Sequence, residues 1–177
     1  MNIKIEKFNI DDSRQVQALA GWDCDKDLYH LTTPVFDKAK ALDYPNFDEV
    51  LKKYKDPSFS NGVYVIFDGE KPIGNLSLQI DPPHLFRKIT GTSWLGLIIG
   101  ERDYWGTGVA KTAMAFFENE SLKLGLKRIE LGTFEFNTRA QKFYKNLGYA
   151  EITRLKDFTY YQNRYWDDIR MEKILLR

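Results

Sequence analysis

The sequence predicts one mixed α/β domain spanning residues 1–177, and three observations carry that prediction. Segments patterned as strands and helices alternate along the chain in the order strand, two helices, three strands, helix, strand, helix, two strands. A hairpin signature stands in the middle, where two β-branched and aromatic runs flank Asp68-Gly69. A nearly continuous apolar strand then runs through a glycine-rich turn into an amphipathic helix. The 177 residues suit a single hydrophobic core system, and no repeat, linker or low-complexity tract divides them.

At the start, Ile3, Ile5 and Phe8 roughly alternate with polar residues and predict a first strand. Asp11, Asp12 and Ser13 offer capping oxygens to a helix carrying Val16, Leu19 and Ala20. Residues 22–45 show no period and are expected to be irregular. Phe47, Val50, Leu51 and Tyr54 predict a second helix ending near Pro57. Val63 to Phe67 and Pro72 to Ile80 form the hairpin strands, and Asp81-Pro82-Pro83-His84 breaks the second of them. The run from about Ile89 to Ile99 is apolar at Leu95, Leu97, Ile98 and Ile99, a pattern expected of a strand buried on both faces.

Val109, Ala110, Ala113, Met114, Phe116 and Phe117 recur at helical spacing, a stripe that packs as core, and Gly125 stops the helix. Ile129, Leu131 and Thr133 alternate as a strand. Asn137-Thr138 can cap a short helix bearing Ala140, Phe143, Tyr144 and Leu147, with Gly148 in the C′ position. Residues 149–158 and 165–176 close the chain as two strands.

Composition excludes several chemistries. Cys24 is the only cysteine, so the chain has no internal disulfide and no multi-cysteine zinc site. His30 and His84 are the only histidines and neither joins a metal-ligand spacing, so no metal is expected. No serine sits in a nucleophile elbow. The formal net charge of +1 gives no electrostatic case for nucleic acid, and no clustered basic face appears. The N-terminal MNIKIEKFN lacks the features of a signal peptide, and no apolar run is long enough for a membrane span. A cytoplasmic location without membrane or nucleic-acid partners is the expectation.

The chemistry is expected in the segment from Arg102 to Lys111, between the apolar strand and the amphipathic helix. Glycines at such a turn let backbone N–H groups converge, and the helix N-terminus adds partial positive charge, which together hold phosphate. The dinucleotide fingerprint fails because Lys111 stands where a third glycine or alanine belongs, and the Walker A spacing is absent. A tight connection without a ligand also fits the glycines alone.

The segment Tyr104-Trp105-Gly106-Thr107-Gly108-Val109-Ala110 resembles the acetyl-CoA pyrophosphate loop of GNAT acetyltransferases, Gln/Arg-x-x-Gly-x-Gly/Ala. Gly108, Val109 and Ala110 match its last three positions, with Gly106 and Thr107 intervening, and Trp105 stands at the Gln/Arg position. Tyr-Trp-Gly-x-Gly looks like the branch containing ribosomal-protein alanine N-acetyltransferases and amino-sugar acetyltransferases. Asn137-Thr138-Arg139-Ala140 and Tyr144-Lys145-Asn146-Leu147-Gly148-Tyr149 are similar to the family's Asn-x-x-Ala…Tyr-x-x-x-Gly-Phe signature. Residues 163–171 resemble that branch's closing strand.

The resemblance implies a mixed, mostly antiparallel sheet of about seven strands flanked by helices, with a parallel pair that splays apart. It implies acetyl-CoA as cosubstrate, with pantetheine lying along Leu97, Ile98 and Ile99 and pyrophosphate on residues Trp105 to Lys111. Asn137 would stand beside the pantetheine arm, and Tyr144 would serve as catalytic acid for the departing thiolate. The bland readings are that Asn137 is an N-cap and Tyr144 a core tyrosine. Relatives in this branch often carry a glutamate before the phosphate loop. Thr92 to Gly96 holds no carboxylate here, which leaves Glu135 or Asp81, a water chain, or an amine that arrives neutral.

The acceptor is expected to be a primary amine, on a protein N-terminus or an amino sugar by branch resemblance, with polyamines and aminoglycosides as further candidates. Its site is expected between residues 22–45, the Asp81–Lys88 turn and the last hairpin, where aromatics mix with Asp23, Asp25 and Asp27. A non-catalytic CoA-binding module is the main rival, and a nucleotide-binding protein a weaker one. Homodimerisation is left open.

Overall fold

A computed structural model describes residues 1–56 and 62–175. Seven strands form one sheet in the order β1-β2-β3-β4-β5-β7-β6: β1 (Ile3–Lys7), β2 (Val63–Asp68), β3 (Lys71–Ile80), β4 (Thr92–Ile99), β5 (Arg128–Phe134), β6 (Ala150–Tyr161) and β7 (Arg164–Ile174). Every neighbouring pair is antiparallel except β4 and β5. Among the described residues, five α-helices accompany the sheet: α1 (Ser13–Cys24), α2 (Lys26–Thr32), α3 (Phe47–Tyr54), α4 (Val109–Lys123) and α5 (Thr138–Asn146). The expected α/β class, strand number and mixed sheet agree with this architecture.

Strand parity sorts the side chains into two cores, because successive residues of a strand face opposite ways. One face carries Ile66, Leu76, Leu95, Ile129, Leu131 and Met171 against Ala113, Met114 and Phe117 of α4 and Tyr144 of α5. The other carries Val63, Val65 and Phe67 against Val16, Leu19 and Ala20 of α1, Leu28 of α2 and Val50 of α3. The helical stripes read from the sequence are therefore the core faces of α1, α3 and α4.

Four expectations need correction. Residues 22–45 are not wholly irregular. Asp25 accepts N–H bonds from Asp27 and Leu28 and starts α2, and Asp37 caps a short 3₁₀ turn. β4 begins at Thr92 rather than Ile89. Asp81 takes the Gly91 and Thr92 amides at 3.0 and 2.8 Å, which holds residues 82–91 out as a loop. β4 is buried at Thr92, Ser93 and Leu95 but only half-buried from Gly96 to Ile99, because its parallel neighbour leaves it. β6 extends three residues beyond Phe158 to Tyr161, where Gln162 and Asn163, both at positive φ, make a two-residue turn into β7. Pro57 and Leu176, expected near the ends of α3 and the last strand, lie outside the described residues.

Candidate active site

β4 and β5 pair only at Thr92↔Arg128, Ser93↔Ile129 and Trp94↔Glu130. Beyond Trp94 they part, and β4 continues to Ile99 with β3 on one side alone. A cavity of about 1000 Å³ opens at this split, and Leu95, Gly96, Leu97, Ile98 and Ile99 all line it. Backbone polar groups on that edge have no strand partner, so they can bond an extended ligand.

At the upper end of β4 the chain turns through Gly106 (φ 79°) and Gly108 (φ 95°) into α4. Both φ values lie where a Cβ is strained, which is why glycine occupies these positions. Gly108 is the N-cap of α4 and supplies no capping oxygen, and the first turn holds no acidic residue. The helix's first N–H groups are therefore left for an outside anion. Gly106, Gly108, Ala110 and Lys111 line the cavity here.

Thr107 and Val109 do not line it. Thr107 Oγ1 donates to the Tyr104 carbonyl at 2.7 Å, and the Val109 side chain is 1% exposed in the core. Trp105 anchors the loop, its indole Nε1 donating to the Ile99 carbonyl at 2.8 Å. The Arg139 guanidinium stacks 3.8 Å from the centre of a Trp105 ring, joining the loop to the first turn of α5. Trp105 thus holds the strand end by its side chain.

On the α4 and α5 side, Asn137 Oδ1 accepts from the Ala140 N–H at 3.2 Å as the N-cap of α5, and Asn137 lines the cavity as well. The bland and the functional reading of Asn137 are compatible. Tyr144 also lines the cavity while packing on Phe143 and Tyr149. Burial holds its phenol well above the usual tyrosine range. Among the described residues its hydroxyl has no hydrogen-bond partner. Thr133 Oγ1, next to the split, is buried and unpartnered.

On the opposite face the cavity meets the three regions expected to build the acceptor site. Asp23, Leu28, Leu31, Thr32, Thr33, Pro34 and Phe36 come from residues 22–45, His84 from the Asp81 turn, and Phe158, Asp168 and Arg170 from β6 and β7. Asp25 and Asp27 do not take part, since both pair with Arg102 at 3.0 and 2.9 Å. Asp23 holds Lys53 at 3.2 Å and the Tyr54 hydroxyl at 2.9 Å. The base candidates Asp81 and Glu135 stand outside the cavity: Asp81 closes the loop described above, and Glu135 faces Arg154 at 3.5 Å.

Sequence reasoning named Asp23 but missed the second carboxylate that lines the cavity, Asp168. Asp168 is 3% exposed, and its oxygens lie 2.8 and 2.9 Å from where a Cβ on Gly132 would stand. Burial raises its pKa, and the Arg170 guanidinium beside it opposes that rise. The Arg170 Nε atom is 2.6 Å from Asp168 Oδ2, so the two form a buried ion pair. Below them Glu130 pairs with Arg128 and accepts the Phe86 and Arg87 amides, which fixes the loop carrying His84. The available signal was charge at period two, Asp168-x-Arg170-x-Glu172, inside a strand whose other face is core.

A split parallel pair, an uncapped helix behind a glycine turn and a tyrosine in the gap describe one architecture. Residues 26–149 match the model of the acetyltransferase (GNAT) family. The chain belongs to the GNAT acetyltransferase family. No curated protein matches it. Among solved structures, the GNAT chain resembles a spermidine N-acetyltransferase from Vibrio cholerae, solved with CoA and spermine, at a TM-score of 0.76 and 21% identity over 98% of this chain and 96% of that one. A ribosomal-protein-alanine N-acetyltransferase from Brucella melitensis superposes at 0.73 and 18% identity, covering 97% and 99% of the two chains. A Salmonella typhimurium protein solved with its cofactor acetyl-CoA superposes at 0.74 and 15% identity over 100% and 96%. At these identities the likeness is one of fold.

Proposed function

We propose that this GNAT protein transfers an acetyl group from acetyl-CoA directly to a primary amine within a ternary complex. The observation that carries the reading is the cavity through the β4–β5 split, lined by β4's free edge, the uncapped start of α4 and Tyr144. The residues present fit the cosubstrate. An extended pantetheine arm matches an unpaired strand edge at Leu97, Ile98 and Ile99. A pyrophosphate matches the glycine turn, with Lys111 and Arg139 adding positive charge at the mouth. The orphaned Thr133 hydroxyl awaits a partner in the same place.

When bound, acetyl-CoA supplies an activated acetyl thioester. The chain's own groups meet three demands. An ammonium acceptor, with a pKa of about 8 on a protein N-terminus and about 10 on a polyamine, must lose a proton before it attacks. Negative charge on the carbonyl oxygen needs a donor, and a backbone N–H of the β4 edge that faces away from β3, at Leu97 or Ile99, would supply it. The departing sulfur needs a hydrogen-bond donor, the role assigned to the Tyr144 phenol. Because burial strengthens its hold on the proton, Tyr144 stays a phenol throughout the working pH range.

The acceptor reading remains an amine on a protein N-terminus or an amino sugar, supported by the Tyr104-Trp105-Gly106 and closing-strand resemblance. The spermine-bound relative adds polyamines to the panel. A second reading, a CoA-binding module without transfer, is favoured by one observation: β4 carries no carboxylate between Thr92 and Gly96. A free-thiol assay with acetyl-CoA and three amines (an alanine-initiated peptide, glucosamine and spermine) separates the two. Thiol release dependent on one amine supports transfer, and acetyl-CoA binding with no release from any amine supports the module.

A further inference from the structure

We infer that Asp168 is the group that takes the proton from the acceptor amine. The inference rests on the acetyl-transfer reading above.

Strand parity fixes the two sides. Ile129 and Leu131 of β5 face α4 and Tyr144, so Glu130, Gly132 and Phe134 face the other way. Gly132 lies two residues past the last β4–β5 pair, Trp94↔Glu130, and so borders the split itself. The Asp168 carboxylate leans from β7 over Gly132, where any side chain would collide with it. A carboxylate thus stands at the edge of the gap on one face, and the Tyr144 phenol lines the same cavity from the other. Two proton-handling groups on opposite faces of a split suit a reaction in which nitrogen attacks on one side and sulfur departs on the other.

The surroundings agree with that role. Among the described residues the Arg170 guanidinium is the one donor beside the Asp168 carboxylate, 2.6 Å from Oδ2, so Oδ1 keeps open lone pairs. The charged groups that act on it are Arg170 on its own strand and Glu130 on β5; His84 on the loop above is a titratable neighbour of Arg170, and burial and that cation favour its neutral form. Arg170 keeps Asp168 ionised and ready to accept, while burial and Glu130 oppose that and make it a stronger base than an exposed aspartate.

The step balances as follows. The ammonium gives one proton to Asp168, which later passes it to solvent. The neutral nitrogen's lone pair forms the C–N bond to the acetyl carbonyl carbon, and the C–S bond breaks with its electron pair going to sulfur. A second N–H proton ends on sulfur, so ammonium plus acetyl thioester gives amide, thiol and one proton.

The experiment compares the native protein with Asp168→Asn, using the alanine-initiated peptide, glucosamine and spermine as probes. The variant should bind acetyl-CoA as the native protein does and lose about a hundredfold in kcat/KM at pH 7. The native protein accepts the ammonium, so its kcat/KM should level off once Asp168 is ionised. The variant must wait for free amine, so its log kcat/KM should climb one unit per pH unit up to the acceptor's own ammonium pKa, about 8 for the peptide N-terminus and about 10 for spermine. Parallel profiles for the two proteins, or a loss of only a few-fold, would overturn the inference. If Asp168→Asn does not fold, Gly132→Ala displaces the carboxylate while keeping it, and the same steepened profile is expected; an unchanged profile counts against Asp168. Native protein that binds acetyl-CoA but releases no thiol with any probe removes the transfer reading itself, a failure visible before any variant is made.

Discussion

At the scale of a single residue, Tyr144 is a cavity-lining side chain to which the acetyl-transfer reading assigns the departing sulfur. It was legible because a short helical signature, Asn137 to Tyr149, places it without any long-range contact. A phenol whose acidity is suppressed by burial gives up its proton to a thiolate only at a cost, but it donates a hydrogen bond as sulfur charge develops. Replacing Tyr144 by Phe should therefore lower kcat about a hundredfold and leave acetyl-CoA affinity within a few-fold, as read by thiol release and calorimetry. Equal kcat in both proteins would remove Tyr144 from the mechanism. Asp168 was not legible in the same way. Its neighbour Gly132 is 36 residues earlier, and only the pairing of β5 with β7 brings them together. The carboxylates chosen from the sequence, Asp81 and Glu135, were near the motifs in the chain but are held by a turn and by Arg154.

Among the elements, the glycine turn and α4 act together. Gly108 sits at φ 95° with open space around it, so the cost of a side chain there is backbone strain rather than collision. Gly108→Ala should destabilise the fold by about 1–2 kcal/mol, the left-handed penalty, and should weaken acetyl-CoA binding by rotating the first amides of α4. Urea midpoints and calorimetric titration of the variant read the two effects separately, and unchanged affinity would take the loop out of the site. The turn was legible because strand, glycines and helix follow one another directly. The splay of β4 from β5 was not a local property: residues 100–127 separate the strands, and only the family resemblance implied their parallel pairing. The same limit applied to α2, a seven-residue helix whose start depends on the Asp25 cap and whose buried face is Leu28 alone.

For the molecule as a whole, one sheet separates two cores, and the cavity crosses the sheet where its strands part. The element order was legible in its hydrophobic periods, and the layering follows once every stripe must be covered. Three tyrosines record the packing. Burial raises the pKa of Tyr54, Tyr144 and Tyr149 above the ordinary value, with Asp23 and Glu118 adding to the effect at Tyr54 and Tyr149. Above about pH 10 the unfolded chain loses these protons while the folded chain keeps them. Folded protein then binds more protons than unfolded, so stability is full below about pH 10 and falls as pH rises through the folded values. Denaturant midpoints at pH 8 and pH 11, with tyrosinate absorbance followed alongside, should show a lower midpoint at pH 11 and three phenols that ionise only on unfolding. Equal midpoints would contradict the burial assigned to them.

The central claim is that the split between β4 and β5, with the uncapped start of α4, is an acetyl-CoA site. Calorimetric titration of the purified protein with acetyl-CoA, with ATP and NAD as controls, tests it most directly. The account predicts saturable one-to-one binding of acetyl-CoA that ATP and NAD do not reproduce. No heat of binding with acetyl-CoA would contradict it and leave the Gly106–Ala110 turn as a structural connection.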